Sequence, residues 1–123
     1  MPLPKLSAAV LDAPNARRLA DFYVRLLGFV VRDEEPDWVA IVPPDGGTGL
    51  SFQTEPEYVP PEWPTRTPGR QQMMVHLDIE VDDLDAETAR AVAEGARLAE
   101  FQPQDDVRVL FDPAGHPFCL WVR

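Results

Sequence analysis

Apolar and polar positions along this chain change rhythm in an order that occurs twice. From about Leu6 to Asp12 an apolar run reads as a strand, stopped by Ala13 and Pro14. Asn15 then offers a helix N-cap. Ala16, Leu19, Phe22, Tyr23, Leu26 and Leu27 recur at helical spacing until Gly28 supplies the stop. Arg17, Arg18, Asp21 and Arg25 fall on the other side, so this helix is predicted to lay one apolar face on a sheet. Phe29 to Asp33, Trp38 to Val42 and Leu50 to Thr54 read as three strands, with turns at Glu35-Pro36 and in the run PPDGGTG.

The second half begins with the stretch from Met73 to Asp83. There Val75, Leu77, Ile79 and Val81 alternate with Met74, His76, Asp78 and Glu80, the period of a strand with one buried and one polar face. A helix is predicted from about Asp83, with Leu84, Thr88, Ala91 and Val92 on one face and Gly95 as its stop. Strands follow at Arg97 to Phe101, Val107 to Phe111 and Phe118 to Val122, the last two separated by the turn DPAGHP. Between the halves, Pro56, Pro60, Pro61, Pro64 and Pro68 exclude a regular ladder or helix from Glu55 to Arg70, which reads as a linker. Tyr58 and Trp63 within it are read as pinning it to the domain surface, with packing over a pocket as the alternative.

Strand, helix and three strands therefore appear twice. Asn15 matches Asp83, Gly28 matches Gly95, and PPDG before the fourth strand matches DPAG before the eighth. Half of so short a chain cannot bury a helix face and a sheet face alone, so the halves are expected to pair. The predicted fold is α+β: two tandem βαβββ modules forming a curved, partly closed mixed sheet around a cleft, helices outside. Module one spans residues 5–54, the proline-rich linker 55–71 and module two 72–123, all within one domain.

Composition narrows the classes. A length of 123 residues suits one domain of ordinary size. Cys119 is the only cysteine, which excludes an intrachain disulfide, and the start MPLPKLSAAVLDAP lacks the pattern of a signal peptide. No apolar stretch approaches bilayer-spanning length, so a cytoplasmic location and no membrane partner are expected. The formal net charge of -10 argues against a nucleic-acid partner. It suits attraction of a cationic small molecule, or serves solubility alone. The fourteen prolines sit mostly between periodic segments and act as punctuation.

The candidate chemistry centres on His76. Asp78, two residues on and on the same strand face, can orient the imidazole for metal binding or proton transfer; the plainer alternative is that His76, Asp78 and Glu80 face water. Trp38, Phe111 and Trp121 line the cleft if the strand parity holds, making it aromatic at one end and polar around His76 and Asp78, as a small organic ligand with a polar head requires. Core or dimer-interface roles for these rings are the alternative. Cys119 reads as a small buried hydrophobe; as a nucleophile it needs an activating neighbour, for which His76 is the candidate. His116 reads as a solvated turn residue, because Gly115 and Pro117 dictate the turn without it. No glycine-rich phosphate loop, GxSxG, HExxH or CxxC motif is present.

The repeat, with LADFYVRLLGF in the first helix, VHLDIEVDDLDAE in the fifth strand and second helix, and FDPAGHPFCLW at the end, resembles the vicinal oxygen chelate superfamily. That superfamily includes lactoylglutathione lyase, extradiol dioxygenases, fosfomycin-resistance enzymes and bleomycin-resistance proteins. LSFQ, VHLDIEVDD and the DPxGxxFC ending are most similar to small bacterial glyoxalase-like proteins. In metal-using members a divalent cation is held from the first, fourth, fifth and eighth strands, commonly by His or Gln, Glu, His and Glu. By position these fall on Ala8, Gln53, His76 and Cys119. Ala8 cannot coordinate, so the resemblance implies His76 as the main ligand, with Gln53 and Cys119 as partners and Asp78 or Asp12 completing the set. It implies a lyase, isomerase or dioxygenase-type enzyme in which His76 is base or ligand, Asp78 orients it and Gln53 donates a hydrogen bond to a developing oxyanion or enolate. The alternative is a non-catalytic protein that sequesters a drug or metabolite in a cleft lined by Trp38, Phe111, Cys119 and Trp121. A homodimer is also expected by resemblance.

Overall fold

Asn15 is extended, at φ -143° and ψ 106°, and its side chain accepts a hydrogen bond from the Arg18 N–H, while Gly28 at φ 72° returns its N–H to the Val24 carbonyl. These two caps set helix α1 at Ala16–Leu27, as the sequence pattern predicts. The computed structural model describes residues 2–123. The chain divides into two units, Met1–Tyr58 and Val59–Arg123. Each unit holds one helix and one four-stranded mixed sheet, an α+β fold made of two tandem modules.

In the first unit the strands are β1 (Ala8–Ala13), β2 (Val30–Glu35), β3 (Trp38–Val42) and β4 (Gly49–Thr54), ordered β1-β4-β3-β2. β1 runs parallel to β4, and β3 is antiparallel to β2 and β4. A Cβ at Gly49 would collide with the Ile41 carbonyl oxygen, so β4 can enter the sheet there only as glycine. Ala16, Leu19, Ala20, Phe22, Tyr23 and Leu26 are the buried face of α1. Tyr23 stacks on Phe52 with ring centroids 5.7 Å apart, and Val39 and Ile41 lie beside Phe52 and Leu50 on the same sheet face. Each aromatic buried this completely contributes roughly 2–3 kcal/mol. The opposite face carries Asp12, Gln53 and Trp38 side by side in register.

In the second unit β5 (Leu77–Glu80), β6 (Arg97–Leu98), β7 (Val107–Phe111) and β8 (Pro117–Trp121) are ordered β5-β8-β7-β6. β5 is parallel to β8, and β7 is antiparallel to both β6 and β8. Helix α2 (Leu84–Ala93), capped by the Asp83 side chain, packs against β6, β7 and β8. Leu110, Phe118 and Leu120 are fully buried on one sheet face, and Asp78, Cys119, Val109 and Phe111 occupy the other. Among the described residues no helix is long and apolar enough to cross a membrane.

Three predicted elements differ in the structure. The strand expected over Met73 to Asp83 is confined to Leu77–Glu80, and Met74 and Val75 are 88% and 76% exposed. Pairing with β8 starts at Phe118 because the preceding Pro117 has no N–H to offer a longer β5. The strand expected over Arg97 to Phe101 ends at Leu98. Beyond it the Gln102 side chain donates to the Ala99 and Val109 carbonyls at 2.8 and 2.9 Å and accepts from the Val109 N–H at 2.9 Å, taking the place of ladder bonds. Val92, expected on the packed face of α2, is exposed, while Ala91 is buried.

The largest departure is at the β7–β8 turn. His116 is not solvated: its side chain is 17% exposed, and its Nδ1 lies 2.9 Å from Oδ2 of Asp112, whose side chain is 0% exposed. Asp112 Oδ1 also accepts from the Ala114 and His116 backbone N–H groups at 2.9 and 3.0 Å. Replacing Asp112 by Ala removes the acceptor for three donors at a dry position, so the Asp112→Ala variant should lose about 3 kcal/mol of stability and Asp112→Asn, which keeps one acceptor oxygen, about half that. Urea unfolding midpoints read this, and an Asp112→Ala midpoint equal to that of the parent chain would show that the turn holds without it.

Candidate functional site

The parallel register of β5 and β8 pairs Asp78 with Cys119, and the antiparallel register of β7 and β8 pairs Cys119 with Val109. Side chains alternate faces along a strand, so these three point the same way, together with Trp121, Val107 and Phe111. His76 lies just upstream of β5, outside the ladder, yet its Nε2 comes within 3.2 Å of Asp78 Oδ1. The imidazole is 40% exposed, so it lines the site from its open side. The ligating atoms of His76, Asp78 and Cys119 all fall within 4.8 Å of one another.

These residues, with Asp106 and Trp121, line a pocket of about 390 Å³. Trp121 also carries the Arg123 guanidinium 5.2 Å from its ring centroid, and that arginine pairs with Glu80 at 2.9 Å. The Cys119 thiol is pushed up from 9.0 to about 11, first by its burial and then by the Asp78 carboxylate, which repels the thiolate and holds the thiol by a hydrogen bond. The neighbour of this thiol is thus a carboxylate that keeps it protonated, the reverse of what nucleophilic activation needs.

A second hollow of about 460 Å³ opens on the same unit, between the proline-rich segment and β6–β7. Trp63 reaches out of that segment to pack on the cluster of Ala99, Val109 and Phe111, against which Cys119 also packs. Trp63 therefore pins its segment and also walls a pocket. The segment is ordered by a bridge between Glu62 and Gln72, by the Glu62 N–H donating to the Gln71 carbonyl at 2.8 Å, and by Arg70 pairing with Glu62 at 3.4 Å.

His76, Asp78, Cys119 and Trp121 are thus brought together, and Phe111 sits one pocket away, 7% exposed. Gln53 and Trp38 belong to the first unit, where Gln53 Nε2 donates to Asp12 Oδ1 at 2.7 Å. In the register of the two parallel pairs the counterpart of His76 is Val10, two residues before Asp12 as His76 is before Asp78, and neither Val10 nor Ala8 has a side-chain donor. Sequence reasoning passed over Asp106, Arg97 and Phe101. Asp106 follows another aspartate in a turn, a setting shared with countless solvated acids, and carries no local signal of a pocket.

A family profile described as a glyoxalase-like domain matches residues 8–121, and the chain belongs to that family. Solved structures share its fold within the glyoxalase, bleomycin-resistance and dioxygenase group of the vicinal oxygen chelate superfamily. A glyoxalase/bleomycin resistance protein/dioxygenase family enzyme from Burkholderia phytofirmans PsJN is 16% identical, with 97% of this chain and 98% of that one covered at a TM-score of 0.73. A glyoxalase-related enzyme from Fulvimarina pelagi is 17% identical over 98% and 89% of the two chains, TM-score 0.69. TnmS3, an antibiotic binding protein from Streptomyces sp. CB03234, is 21% identical over 99% and 98%, TM-score 0.60. No curated protein matches the chain.

The raised thiol sets a measurable reactivity. At pH 9, where half of an ordinary cysteine is thiolate, roughly one Cys119 in a hundred is ionised, so alkylation by iodoacetamide should run about fifty-fold slower and keep rising past pH 10. Asp78→Asn should move the profile down but not back to 9.0, because burial is the larger cause. A rate that levels off by pH 9 in the native chain would contradict the assignment.

Proposed function

We propose that this chain is a cytoplasmic small-molecule-binding member of the glyoxalase-like family that holds a positively charged organic ligand without turning it over. One observation carries the reading: the pocket at β5 and β8 is walled by Asp78, Asp106 and the Trp121 ring, and no lysine or arginine is among its lining residues. Two carboxylates and an indole face are the groups that recognise an ammonium head. The Arg123 guanidinium over Trp121 illustrates the same attraction within the chain. The net charge of -10 adds long-range attraction of the same sign. A protonated thiol and a non-coordinating residue at the first ligand position both favour binding over catalysis. The antibiotic binding activity named for TnmS3 is compatible with this reading.

The half-exposed Val30 and Val31 on edge strand β2 support the further proposal of a homodimer. Sedimentation at micromolar concentration reads it, and a purely monomeric boundary would remove it. For the ligand, benzylammonium should bind more tightly than neutral benzyl alcohol and perturb the Trp121 indole resonance. Asp106→Asn and Asp78→Asn should each weaken it roughly tenfold, and added salt should weaken it further. Equal binding of the neutral analogue, or unchanged affinity in both variants, would overturn the proposal.

A second reading is favoured by the close approach of His76, Asp78 and Cys119. The set departs from the His or Gln, Glu, His and Glu donors common in metal-using members, because one of its donors is sulfur. One nitrogen, one oxygen and one sulfur suit zinc, which would supply Lewis acidity there. On this reading zinc raises the unfolding temperature, Cys119→Ser abolishes the rise, and zinc competes with benzylammonium because both need Asp78. Equal stabilisation of the Cys119→Ser variant would exclude the thiol as a ligand.

A further inference from the structure

We propose that the hollow between the proline-rich segment and β6–β7 is a second, separate binding site for a planar aromatic carboxylate. Its ring would lie on the wall made by Trp63 and Phe101, and its carboxylate on the Arg97 guanidinium. This goes beyond the cation pocket at β5 and β8 and does not depend on it.

The wall comes first. The Trp63 and Phe101 rings are 5.8 Å apart at an interplanar angle of 33°, too close to admit a third ring between them, so they act as one continuous aromatic surface. Phe111 forms part of the floor on β7, and the hollow, at about 460 Å³, is of a size that takes a small organic molecule. Trp63 is placed there by packing on the Ala99, Val109 and Phe111 cluster and by the bridge from Glu62 to Gln72, so the surface is held in position before any ligand arrives.

The sign of the ligand follows from which charge is set over the aromatic floor. β6 pairs Arg97 directly with Phe111 on β7, and the guanidinium lies 4.4 Å over the Phe111 ring. A guanidinium held over a ring keeps its in-plane N–H groups available to form a fork to a carboxylate. Among the described residues Arg97 makes no ion pair. Of the two carboxylates in the lining, Glu62 is already paired with Arg70 at 3.4 Å, and Glu100, exposed like Arg97 itself, has no aromatic ring beneath it. The charged group set over the aromatic floor is therefore a cation, in a chain whose net charge is negative. Flatness of the partner is required twice, by the aromatic wall and by the guanidinium plane, and a planar carboxylate conjugated to a ring meets both.

The experiment uses 2-naphthoate and 2-naphthylmethylammonium, two probes of like size and opposite charge, titrated into the full chain and followed by calorimetry and by the indole N–H resonances. Naphthoate should bind and shift the Trp63 signal while leaving Trp121 in place. Arg97→Gln should weaken naphthoate roughly tenfold and leave the binding of the ammonium probe at Trp121 unchanged. Trp63→Phe, which keeps a ring, should retain most of the affinity. The proposal is overturned if naphthoate fails to bind at millimolar concentration, if Arg97→Gln leaves its affinity intact, or if the ammonium probe is the one that shifts Trp63. Loss of ammonium binding at Trp121 alone would count against the cation pocket and not against this site.

Discussion

The β5–β8 pairing, with Asp78 set beside Cys119, is the constraint on which the site depends. Side chains alternate along a strand, so one register assigns every residue of the second sheet to a face. Shifting β8 by one position would turn Phe118 and Leu120, both without exposure, toward the pocket and bury Cys119 under α2. That register is anchored one turn earlier. The Asp112 carboxylate takes the Ala114 and His116 N–H groups and the His116 ring, closing the β7–β8 turn so that Phe111 faces Pro117 and Val109 faces Cys119. A dry carboxylate that lines neither pocket thereby decides where the thiol, the indole of Trp121 and the floor of Phe111 stand.

The first unit shows what the same pairing does with other residues. Asp12 meets Gln53 across parallel strands as Asp78 meets Cys119, but an amide donates to the carboxylate where in the second unit a thiol does. The helices differ as well. α1 buries six residues, including Phe22 and Tyr23, whereas the buried face of α2 is reduced to Ala91. The weight of the second core therefore moves to Leu110, Phe118 and Leu120, and its other sheet face takes Trp63 from the proline-rich segment as cover. Small residues on α2 and a borrowed indole are two sides of one solution: where the helix supplies little, the segment before it supplies more.

How much of this could be read from the residues depended on whether the deciding partner was local. α1 was legible to the residue because Asn15 and Gly28 act on their own turn, and β3 and β7 were legible because Trp38–Val42 and Val107–Phe111 are bounded by turn residues. β5 was read too long because alternation continues through Met74 and Val75, and only the partner strand, with Pro117 at its head, decides where pairing stops. β6 was also read too long because a side chain, Gln102, replaces ladder bonds, which no periodicity records. The company of His76, Asp78 and Cys119 could be expected from strand parity and family resemblance. The Asp112–His116 contact could not, since a histidine between Gly115 and Pro117 looks like any exposed turn residue until the buried carboxylate beneath it is known.

Net charge is a weak guide to what such a molecule recognises, and the second unit shows why. Its two pockets share one sheet face and meet through Cys119 and the Val109 cluster, yet one is lined by Asp78 and Asp106 and the other sets Arg97, which makes no ion pair among the described residues, over Phe111. Across bulk water at physiological salt a charge is felt over a Debye length of about 8 Å, so the excess of acids speeds the approach of cations without choosing the pocket that holds them. Inside a partly closed hollow the same Coulomb interaction is several times stronger, and the nearest uncompensated group decides. Glu62 illustrates the difference: it counts fully toward the net charge, but with Arg70 at 3.4 Å it contributes little field to the hollow it lines. On both proposals, recognition on this face follows the pairing of individual side chains, which the sheet register and the ordered proline-rich segment set before any ligand is present.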